Sequence, residues 1–225
     1  MREQTILFDI NETVLNLASL KPKFNAVFGD ESYTATWFSM LLHSSTVCLV
    51  TGVKTDFASL AKIALDALAA KQKLLLSEKE GNDILATFAN LAPHADIQAA
   101  LTKLRKAGFR LVALSNSSQA LLTTQILNAG LTSYFDELIS VEAAGTFKPS
   151  ANAYAFASKQ LETTADTLRL VAAHDWDTHG ALSAGLKAAY IDRTGAPYNP
   201  LFLKPDVIGS TMNEIAEQII SMHKI

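Results

Sequence analysis

The stretch TILFDINETV, residues 5–14, places a carboxylate directly after a short apolar run. The run Thr5–Phe8 has the length and composition of a buried parallel strand, and Asp9 follows where such a strand would end. The same pattern occurs twice more, where Arg110–Leu114 leads into Ser115-Asn116 and Leu168–Ala173 leads into His174-Asp175. We therefore predict three buried strands that present polar side chains at their carboxyl ends.

The segments between these strands carry the apolar spacing of helices. Two shorter apolar runs, Glu137–Ser140 and Ala188–Ile191, are predicted as further strands of the same sheet. The predicted helices are marked by Ile97, Leu101 and Leu104 before Gly108, by Leu122, Ile126 and Ala129 before Gly130, by Tyr154–Leu161, and by a capping box of Thr211 and Glu214. Alternating strands and helices predict an α/β fold with a Rossmann-like, doubly wound parallel sheet.

The segment 15–93 has a different character. It shows helical spacing around Trp37 and a second capping box formed by Ser77 and Glu80, but no clear strand. We predict that 15–93 forms an all-helical cap inserted between the first and second core strands. The core then comprises 1–14 and 94–225.

The composition narrows the classes of function. Apolar residues make up 49% of the 225 residues and charged residues 18%, which is typical of a globular protein with a substantial core. The net charge of −3 argues against nucleic acid as a partner. Neither an export signal nor an apolar run of membrane-spanning length is recognised, and Cys48 is the single cysteine, so we expect no membrane association and a cytoplasmic location.

The residues at the carboxyl ends of the strands predict the site, because ligands of open α/β sheets bind there. Asp9 can act as a nucleophile that forms a covalent ester or acyl-phosphate. Lys148, in TFKPS, supplies a positive charge that would hold Asp9 ionised. Ser115 and Asn116 offer a hydroxyl and an amide to an oxyanion or a substrate carboxylate.

A further group lies in AAHDWDTHGA, where His174, Asp175 and Asp177 offer acid, base or ligand groups. Taken singly, each residue of the proposed site has an ordinary structural explanation, since Asp and Ser-Asn are common in turns and Asp177 could cap a helix that begins near Thr178. Their occurrence in order, at the ends of successive predicted strands, favours one site over separate coincidences.

These residues resemble the motifs of the haloacid dehalogenase-like (HAD) superfamily of hydrolases. The matching motifs are Asp9 after an apolar strand, Ser115, Lys148 before Pro149, and the acidic cluster that ends at Asp177. Within the superfamily the sequence looks most like the type II 2-haloacid dehalogenase branch. The pieces that carry this likeness are LSNSS, FKPS with Tyr154 six residues on, and WDTHGA.

The resemblance implies a role for each matching residue. Asp9 would attack the substrate, Lys148 would orient and stabilise the carboxylates, and Asp177 would position the hydrolytic water. The residues that would contact the substrate are Ser115, Asn116, Tyr154, Asn11 and Phe38. It also implies a small-molecule substrate and no required cofactor, and the apolar content of the cap permits a homodimer.

Two departures separate the sequence from the phosphatases of the superfamily. Asn11 stands where they carry an Asp that protonates a leaving alkoxide, and an amide cannot donate that proton. Ala172 stands where they carry an Asp that holds Mg²⁺, which prefers carboxylate oxygens. Halide leaves without a proton, so carbon–halogen cleavage is compatible with both changes. If Mg²⁺ were bound, its ligands would be Asp9, Asp175 and Asp177.

Other departures concern the dehalogenase pattern itself. That branch has Tyr where Asn11 stands, Arg where Phe38 follows Trp37, and Ser and Asn where Ala172 and His174 stand. A neutral His174 could replace the amide as a hydrogen-bond group or act as base for the second step. By charge alone, His43 and Lys54 are the candidates to replace the arginine, but a solvated cap surface is the more common explanation for such residues.

The sequence is compatible with three functions. The leading one is a hydrolase of the 2-haloacid dehalogenase type that acts through an ester on Asp9. The second is a Mg²⁺-dependent small-molecule phosphatase. The third is a non-catalytic HAD-like binding protein, which the pairing of Asp9 with Lys148 disfavours.

Overall fold

The computed structural model describes residues 5–223. Its centre is a parallel sheet of six strands in the order β3-β2-β1-β4-β5-β6. The strands are β1 (Thr5–Phe8), β2 (Arg110–Ser115), β3 (Glu137–Ser140), β4 (Leu168–Ala172), β5 (Lys187–Ile191) and β6 (Val207–Gly209). The chain reverses its direction of travel across the sheet at β1, so the carboxyl end of β1 is the topological switch point where α/β proteins bind ligands. The predicted doubly wound α/β fold is confirmed.

The five predicted strands are confirmed to within one residue at each end. β4 ends at Ala172, one residue before the predicted end, because Ala173 donates its N–H to the Thr13 hydroxyl at 2.8 Å rather than to the sheet. β6 was not predicted. It has only three residues, and its middle residue, Ile208, is half exposed, so no continuous apolar run marks it.

Nine α-helices are present in residues 5–223. They are α1 (Lys21–Phe28), α2 (Tyr33–Thr51), α3 (Phe57–Lys71), α4 (Glu78–Phe88), α5 (Ile97–Lys106), α6 (Gln119–Asn128), α7 (Ala151–Gln160), α8 (Asp175–Ser183) and α9 (Met212–His223). None of these helices is both long enough and apolar enough to cross a membrane.

The alternation of side chains along β1 divides the core into two layers. Ile6 and Phe8 pack into the cluster that contains Leu101 of α5, whereas Leu7 packs into the cluster that contains Tyr154 of α7. Successive residues of a strand point to opposite faces of the sheet, so a fully apolar strand is required when helices cover both faces. This explains why the run before Asp9 contains no alternating polar residue.

The starts of α7 and α9 differ in detail from the prediction. α7 begins at Ala151, three residues before the predicted start, because Ser150 caps it by accepting a hydrogen bond from the Asn152 N–H at 3.3 Å. At the start of α9, the Thr211 hydroxyl accepts from the Glu214 N–H as predicted, at 3.2 Å. The Glu214 carboxylate, however, accepts from Ser210 instead of completing the box at Thr211.

Helices α1–α4 follow one another between β1 and α5, and they form the helical cap. The predicted capping box is confirmed at α4, where Ser77 and the Glu80 carboxylate bond each other's backbone N–H groups. Trp37 of α2 is fully buried in the cap and donates its indole N–H to the Ala61 carbonyl of α3 at 2.9 Å.

The chain enters and leaves the cap side by side. The Asn16 N–H donates to the Ala92 carbonyl at 2.8 Å, and the His94 N–H donates to the Val14 carbonyl at 3.0 Å. These bonds fasten the two connecting segments to each other, and they support the proposed cap extent of 15–93.

Candidate active site

Asp9 occupies the carboxyl end of β1 at the centre of the sheet. Its N–H still belongs to the sheet and donates to the Val171 carbonyl at 3.0 Å, while its side chain leaves the sheet and is only 8% exposed. Oδ1 accepts a hydrogen bond from Lys148 Nζ at 2.8 Å, and Oδ2 accepts one from the Thr13 hydroxyl at 2.6 Å. Both carboxylate oxygens therefore have a fixed donor.

Lys148 is a buried cation shared by two carboxylates. Its Nζ donates to Asp9 Oδ1, to Asp177 Oδ2 at 2.7 Å and to the Leu114 carbonyl at 3.1 Å, which uses all three of its protons. Its own N–H donates to Asn116 Oδ1 at 2.9 Å, so the loop that follows β2 holds the lysine loop in place.

Asp177 lies in the first turn of α8 and is fully buried. Its Oδ1 accepts a hydrogen bond of 2.5 Å from the Tyr154 hydroxyl, and its Oδ2 accepts from Lys148. α8 begins at Asp175, so Asp177 lies inside the helix, and the helix-cap alternative for this residue is wrong.

The contact of Tyr154 on α7 with Asp177 on α8 requires a glycine at position 180. A Cβ on Gly180 would lie 2.7 Å from the Tyr154 hydroxyl and 2.5 Å from Pro149 Cβ.

His174 lies between two carboxylates. Its Nε2 is 2.8 Å from a Glu12 carboxylate oxygen, and its Nδ1 is 3.3 Å from Asp9 Oδ2. The ring is stacked against Trp176 at 5.1 Å between centroids, and Phe38 of the cap lies on it at 6.2 Å. The aromatic neighbours restrict the ring, and the carboxylates favour its charged form.

The contacts among these charged side chains shift their pKa values. Burial would raise the pKa of Asp9, but Lys148 and His174 outweigh it and hold that pKa well below its usual range. Burial would lower the pKa of Lys148, and Asp177 and Asp9 raise it instead. Burial likewise opposes charge on His174, yet its contacts with Asp9 and Glu12 raise its pKa to about 10.

Asp177 behaves differently from Asp9 although both contact Lys148. Burial, together with the nearby charge of Asp9, raises the pKa of Asp177 despite the lysine. Two carboxylates that share one cation thus have pKa values shifted in opposite directions, an arrangement typical of sites that perform acid–base or nucleophilic chemistry.

The other predicted polar residues surround this group. Ser115 is buried at the end of β2, and its Oγ accepts from the Ser117 N–H at 3.1 Å. Asn11 is also buried, and its amide bonds Ser117 Oγ at 3.3 Å and Gln125 Nε2 at 3.1 Å. Asn11 is therefore anchored to α6, where its amide joins the loop after β1 to the core.

The two cationic candidates of the cap lie at different places. Lys54 donates to the Gly145 carbonyl at 3.3 Å, at the contact between the cap and the loop before Lys148. His43 lines a cavity of about 390 Å³ together with Lys148 and Trp176.

The three carboxylates that would be needed for Mg²⁺ have other partners. Asp9 and Asp177 both bind Lys148, and Asp175 accepts a hydrogen bond from the Asn199 N–H at 3.2 Å. Across residues 5–223, no group of three or more His, Cys, Asp or Glu side chains is arranged to hold a metal ion.

Sequence reasoning missed Thr13 and Glu12. Thr13 is fully buried and ties Asp9 Oδ2 to the N–H of Ala173 after β4, whereas Glu12 supplies the second carboxylate on His174. Both lie in NETV within four residues of Asp9, so proximity was the available clue. Their roles depend on a tight turn in which Glu12 has a φ of +67°. The sequence Asn-Glu-Thr does not predict such a turn, because it has no glycine at the position with positive φ.

The comparison with protein families identifies the class. The family model for haloacid dehalogenase-like hydrolases matches residues 3–168, and the chain belongs to this family of hydrolases.

Individual relatives are similar in sequence to nearly the whole chain. (S)-2-haloacid dehalogenase 2 of Pseudomonas sp. (strain CBS-3) is 26% identical over 212 residues, which cover 93% of each chain. Haloacetate dehalogenase H-2 of Moraxella sp. (strain B) is 25% identical over 218 residues, 96% of this chain and 97% of the relative. The fold matches the structure of the L-2-haloacid dehalogenase from Xanthobacter autotrophicus with chloropropionic acid covalently bound. That match has a TM-score of 0.91 at 24% identity and covers 98% of this chain and 99% of the other.

Proposed function

We propose that this protein hydrolyses carbon–halogen bonds through a covalent ester on Asp9, as expected for a relative of the 2-haloacid dehalogenases. The observation that carries the proposal is the state of Asp9: a buried carboxylate at the topological switch point, ionised by Lys148 and oriented by Thr13. A carboxylate nucleophile must be both ionised and fixed before it can displace a leaving group.

The reaction balances in two steps. An oxygen of Asp9 forms a bond to the carbon that bears the halogen, and the carbon–halogen bond breaks with its electron pair leaving as halide. Water then attacks the carbonyl carbon of the Asp9 ester, which releases a hydroxylated product and a proton and restores the carboxylate. Halide needs no proton to leave, so Asn11 is compatible with the first step.

We assign roles to the surrounding residues from their contacts. Lys148 holds Asp9 ionised and steadies Asp177, and Tyr154 fixes Asp177 in turn. We assign Asp177, whose pKa is raised by burial, to orienting the water of the second step. The raised pKa of His174 favours its protonated form at neutral pH, so we assign it as a hydrogen-bond donor beside Asp9 rather than as the resting base. Ser115, Asn116, Asn11 and Phe38 are assigned to the walls of the substrate site.

The direct test is halide release from L-2-chloropropionate, bromoacetate and the neutral 2-chloropropionamide, with and without EDTA. We expect release from at least one substrate, and we expect it to persist in EDTA. Asp9→Asn should abolish release, because an amide is a poor nucleophile. It should cost far less stability than the loss of Lys148, because the side chain keeps its shape and Lys148 keeps Asp177 as its counter-ion.

The result separates the candidate functions. If none of the three compounds releases halide above the Asp9→Asn background, carbon–halogen hydrolysis is rejected. If release requires a metal ion that EDTA removes, the proposed metal-independent reaction is wrong.

A further inference from the structure

The two oxygens of the Asp9 carboxylate have different surroundings. Oδ1 accepts a hydrogen bond from Lys148 Nζ at 2.8 Å, and no other donor bonds it among residues 5–223. Oδ2 accepts from the Thr13 hydroxyl at 2.6 Å and also lies 3.3 Å from His174 Nδ1. Each carboxylate oxygen has two lone pairs for contacts of this kind. Oδ1 therefore keeps one lone pair that can attack a carbon atom, whereas Oδ2 faces two donor groups.

The Thr13 hydroxyl has only one direction in which to donate. Its oxygen accepts from the Ala173 N–H at 2.8 Å, and its single proton is left for Asp9 Oδ2. The side chain of Thr13 is fully buried, so bulk water does not compete for that proton. Thr13 is thus a fixed donor to Oδ2.

His174 Nδ1 is a second donor group that the resting site does not engage fully. The atom is buried and forms no aligned hydrogen bond within residues 5–223, although Asp9 Oδ2 is only 3.3 Å away. When water adds to an ester, the carbonyl carbon becomes tetrahedral and its oxygen moves as it gains charge. Effective donors are aimed at that later position, and their hydrogen bonds are often long before the reaction. His174 Nδ1 fits this description.

Glu12 keeps a proton on His174 Nδ1. A neutral imidazole has one N–H, and the Glu12 carboxylate, 2.8 Å from Nε2, would hold that proton on Nε2. Burial opposes a second proton, but the contacts with Asp9 and Glu12 outweigh it and raise the pKa of His174 to about 10. The rings of Phe38 and Trp176, which flank the imidazole, carry no charge. Once Asp9 is an ester it carries no charge either, and Glu12 is then the carboxylate that remains on the ring.

We propose that Oδ1 of Asp9 is the attacking oxygen, and that Thr13 and His174 form an oxyanion hole around Oδ2 when the ester is hydrolysed. Glu12 is the positioning residue that keeps His174 a donor after the charge of Asp9 is lost. This inference rests on the proposed function and concerns its second step.

The second step balances on these atoms. Water attacks Cγ of the Asp9 ester, and the electron pair of the carbonyl bond moves to Oδ2, where the two donors stabilise the charge. The Cγ–Oδ1 bond then breaks, and Oδ1 leaves as the hydroxyl oxygen of the product with one proton of the attacking water. The other proton is released, and the carboxylate is restored. Lys148 Nζ, 2.8 Å from Oδ1, stabilises negative charge on the leaving oxygen.

The test measures the two steps separately. The substrate is whichever of L-2-chloropropionate, bromoacetate and 2-chloropropionamide releases halide fastest. With the protein in excess over the substrate, halide release reports the first step, and formation of the hydroxylated product reports the second. His174→Phe removes the donor and keeps a ring beside Trp176. We expect product formation to slow by about 100-fold or more, the usual effect of losing one oxyanion donor, while halide release slows much less. The ester should then accumulate on the peptide that contains Asp9, as seen by mass spectrometry.

Glu12→Gln tests the positioning role. The substitution keeps the size of the side chain and an acceptor for His174, but it removes the charge. Product formation should slow by about tenfold or more, the effect of losing one charge contact of modest strength. The rate of halide release should stay near that of the wild type, because Asp9 is still charged in the first step. A merely structural role of Glu12 would slow both steps alike.

The matched control is Glu31→Gln, which removes a carboxylate of the cap that is paired with Lys21 and does not contact His174. Both rates should stay within about twofold of the wild type, because a distant exposed charge is screened. An equal slowing of product formation in Glu12→Gln and Glu31→Gln would overturn the assignment to Glu12.

The remaining outcomes distinguish this inference from the proposed function. Product formation at the wild-type rate in His174→Phe and Glu12→Gln, or an equal slowing of both steps, overturns the inference and leaves carbon–halogen hydrolysis standing. If His174→Phe fails to fold, Glu12→Gln decides together with Thr13→Val, which removes the other donor and should also slow the second step selectively. Absence of halide release from all three compounds rejects both proposals.

Discussion

Replacement of Lys148 by Met tests how the buried charges of the site are held together. Met has a similar length and shape but no charge. Lys148 is 2% exposed and lies 2.8 Å from Asp9 Oδ1 and 2.7 Å from Asp177 Oδ2, and these two carboxylates are themselves buried. The substitution leaves both of them without their common cation.

The expected cost is large for a single substitution. Removal of one partner from a buried ion pair typically costs about 3–5 kcal/mol, because the remaining charge has lost its solvation and its partner. We expect Lys148→Met to reduce the free energy of unfolding by about that amount at neutral pH, a substantial part of the roughly 5–15 kcal/mol of an ordinary domain.

The loss of stability caused by Lys148→Met should be smaller at low pH than at high pH. Without Lys148, burial and the charge of Asp9 raise the pKa of Asp177 in the folded variant further above its unfolded value, whereas Asp9 keeps its contact with His174. A group whose pKa is raised contributes stability below the unfolded pKa and loses it as the pH rises. In the wild type, the lowered pKa of Asp9 contributes stability above the unfolded pKa and loses it as the pH falls. The difference between the two proteins should therefore shrink on acidification.

The assay is urea unfolding followed by tryptophan fluorescence at about pH 5 and about pH 8. The control is Lys103→Met, which breaks an exposed pair with Glu217 and should cost no more than about 1 kcal/mol. The reasoning is refuted if Lys148→Met costs less than about 1 kcal/mol, or if its cost is equal at both pH values.

Two further predictions concern local packing and capping. Gly180→Ala should destabilise the protein by about 1–3 kcal/mol although alanine favours helices, because its Cβ would lie 2.5 Å from Pro149 Cβ; a raised or unchanged midpoint of thermal unfolding would contradict this. Ser77→Ala should cost about 1 kcal/mol in urea unfolding, because it removes the hydroxyl of the capping box at α4, and it should leave the kcat of halide release unchanged; a loss of kcat would show that α4 is coupled to the site.

Much of the fold could be predicted from the sequence because buried parallel strands are continuous apolar runs. Thr5–Phe8 and Glu137–Ser140 were predicted with the bounds that the structure shows. β6 could not be predicted in this way, because a strand of three residues whose central residue is exposed shows no continuous apolar run. The capping box at Ser77 was recognisable because its two residues act on each other within one turn.

The site could be predicted only in part. Asp9, Lys148 and Asp177 stand at strand ends or in motifs, and the sheet brings them within hydrogen-bond distance. Glu12 and Thr13 were missed because their contacts depend on a turn whose φ of +67° is not encoded by a glycine. The charge on His174 was also missed, since it depends on the second carboxylate that Glu12 supplies.

In the proposed reaction, Asp9 becomes esterified and is restored by water. The most direct measurement is the mass of the peptide that contains Asp9 after many turnovers in water enriched in oxygen-18. Water attacks the ester carbonyl in this account, so the heavy oxygen should enter the Asp9 side chain, and a single turnover should deliver an unlabelled hydroxyl to the product. Halide release with no label in this peptide would contradict an ester on Asp9 and would point to direct attack of water on the substrate.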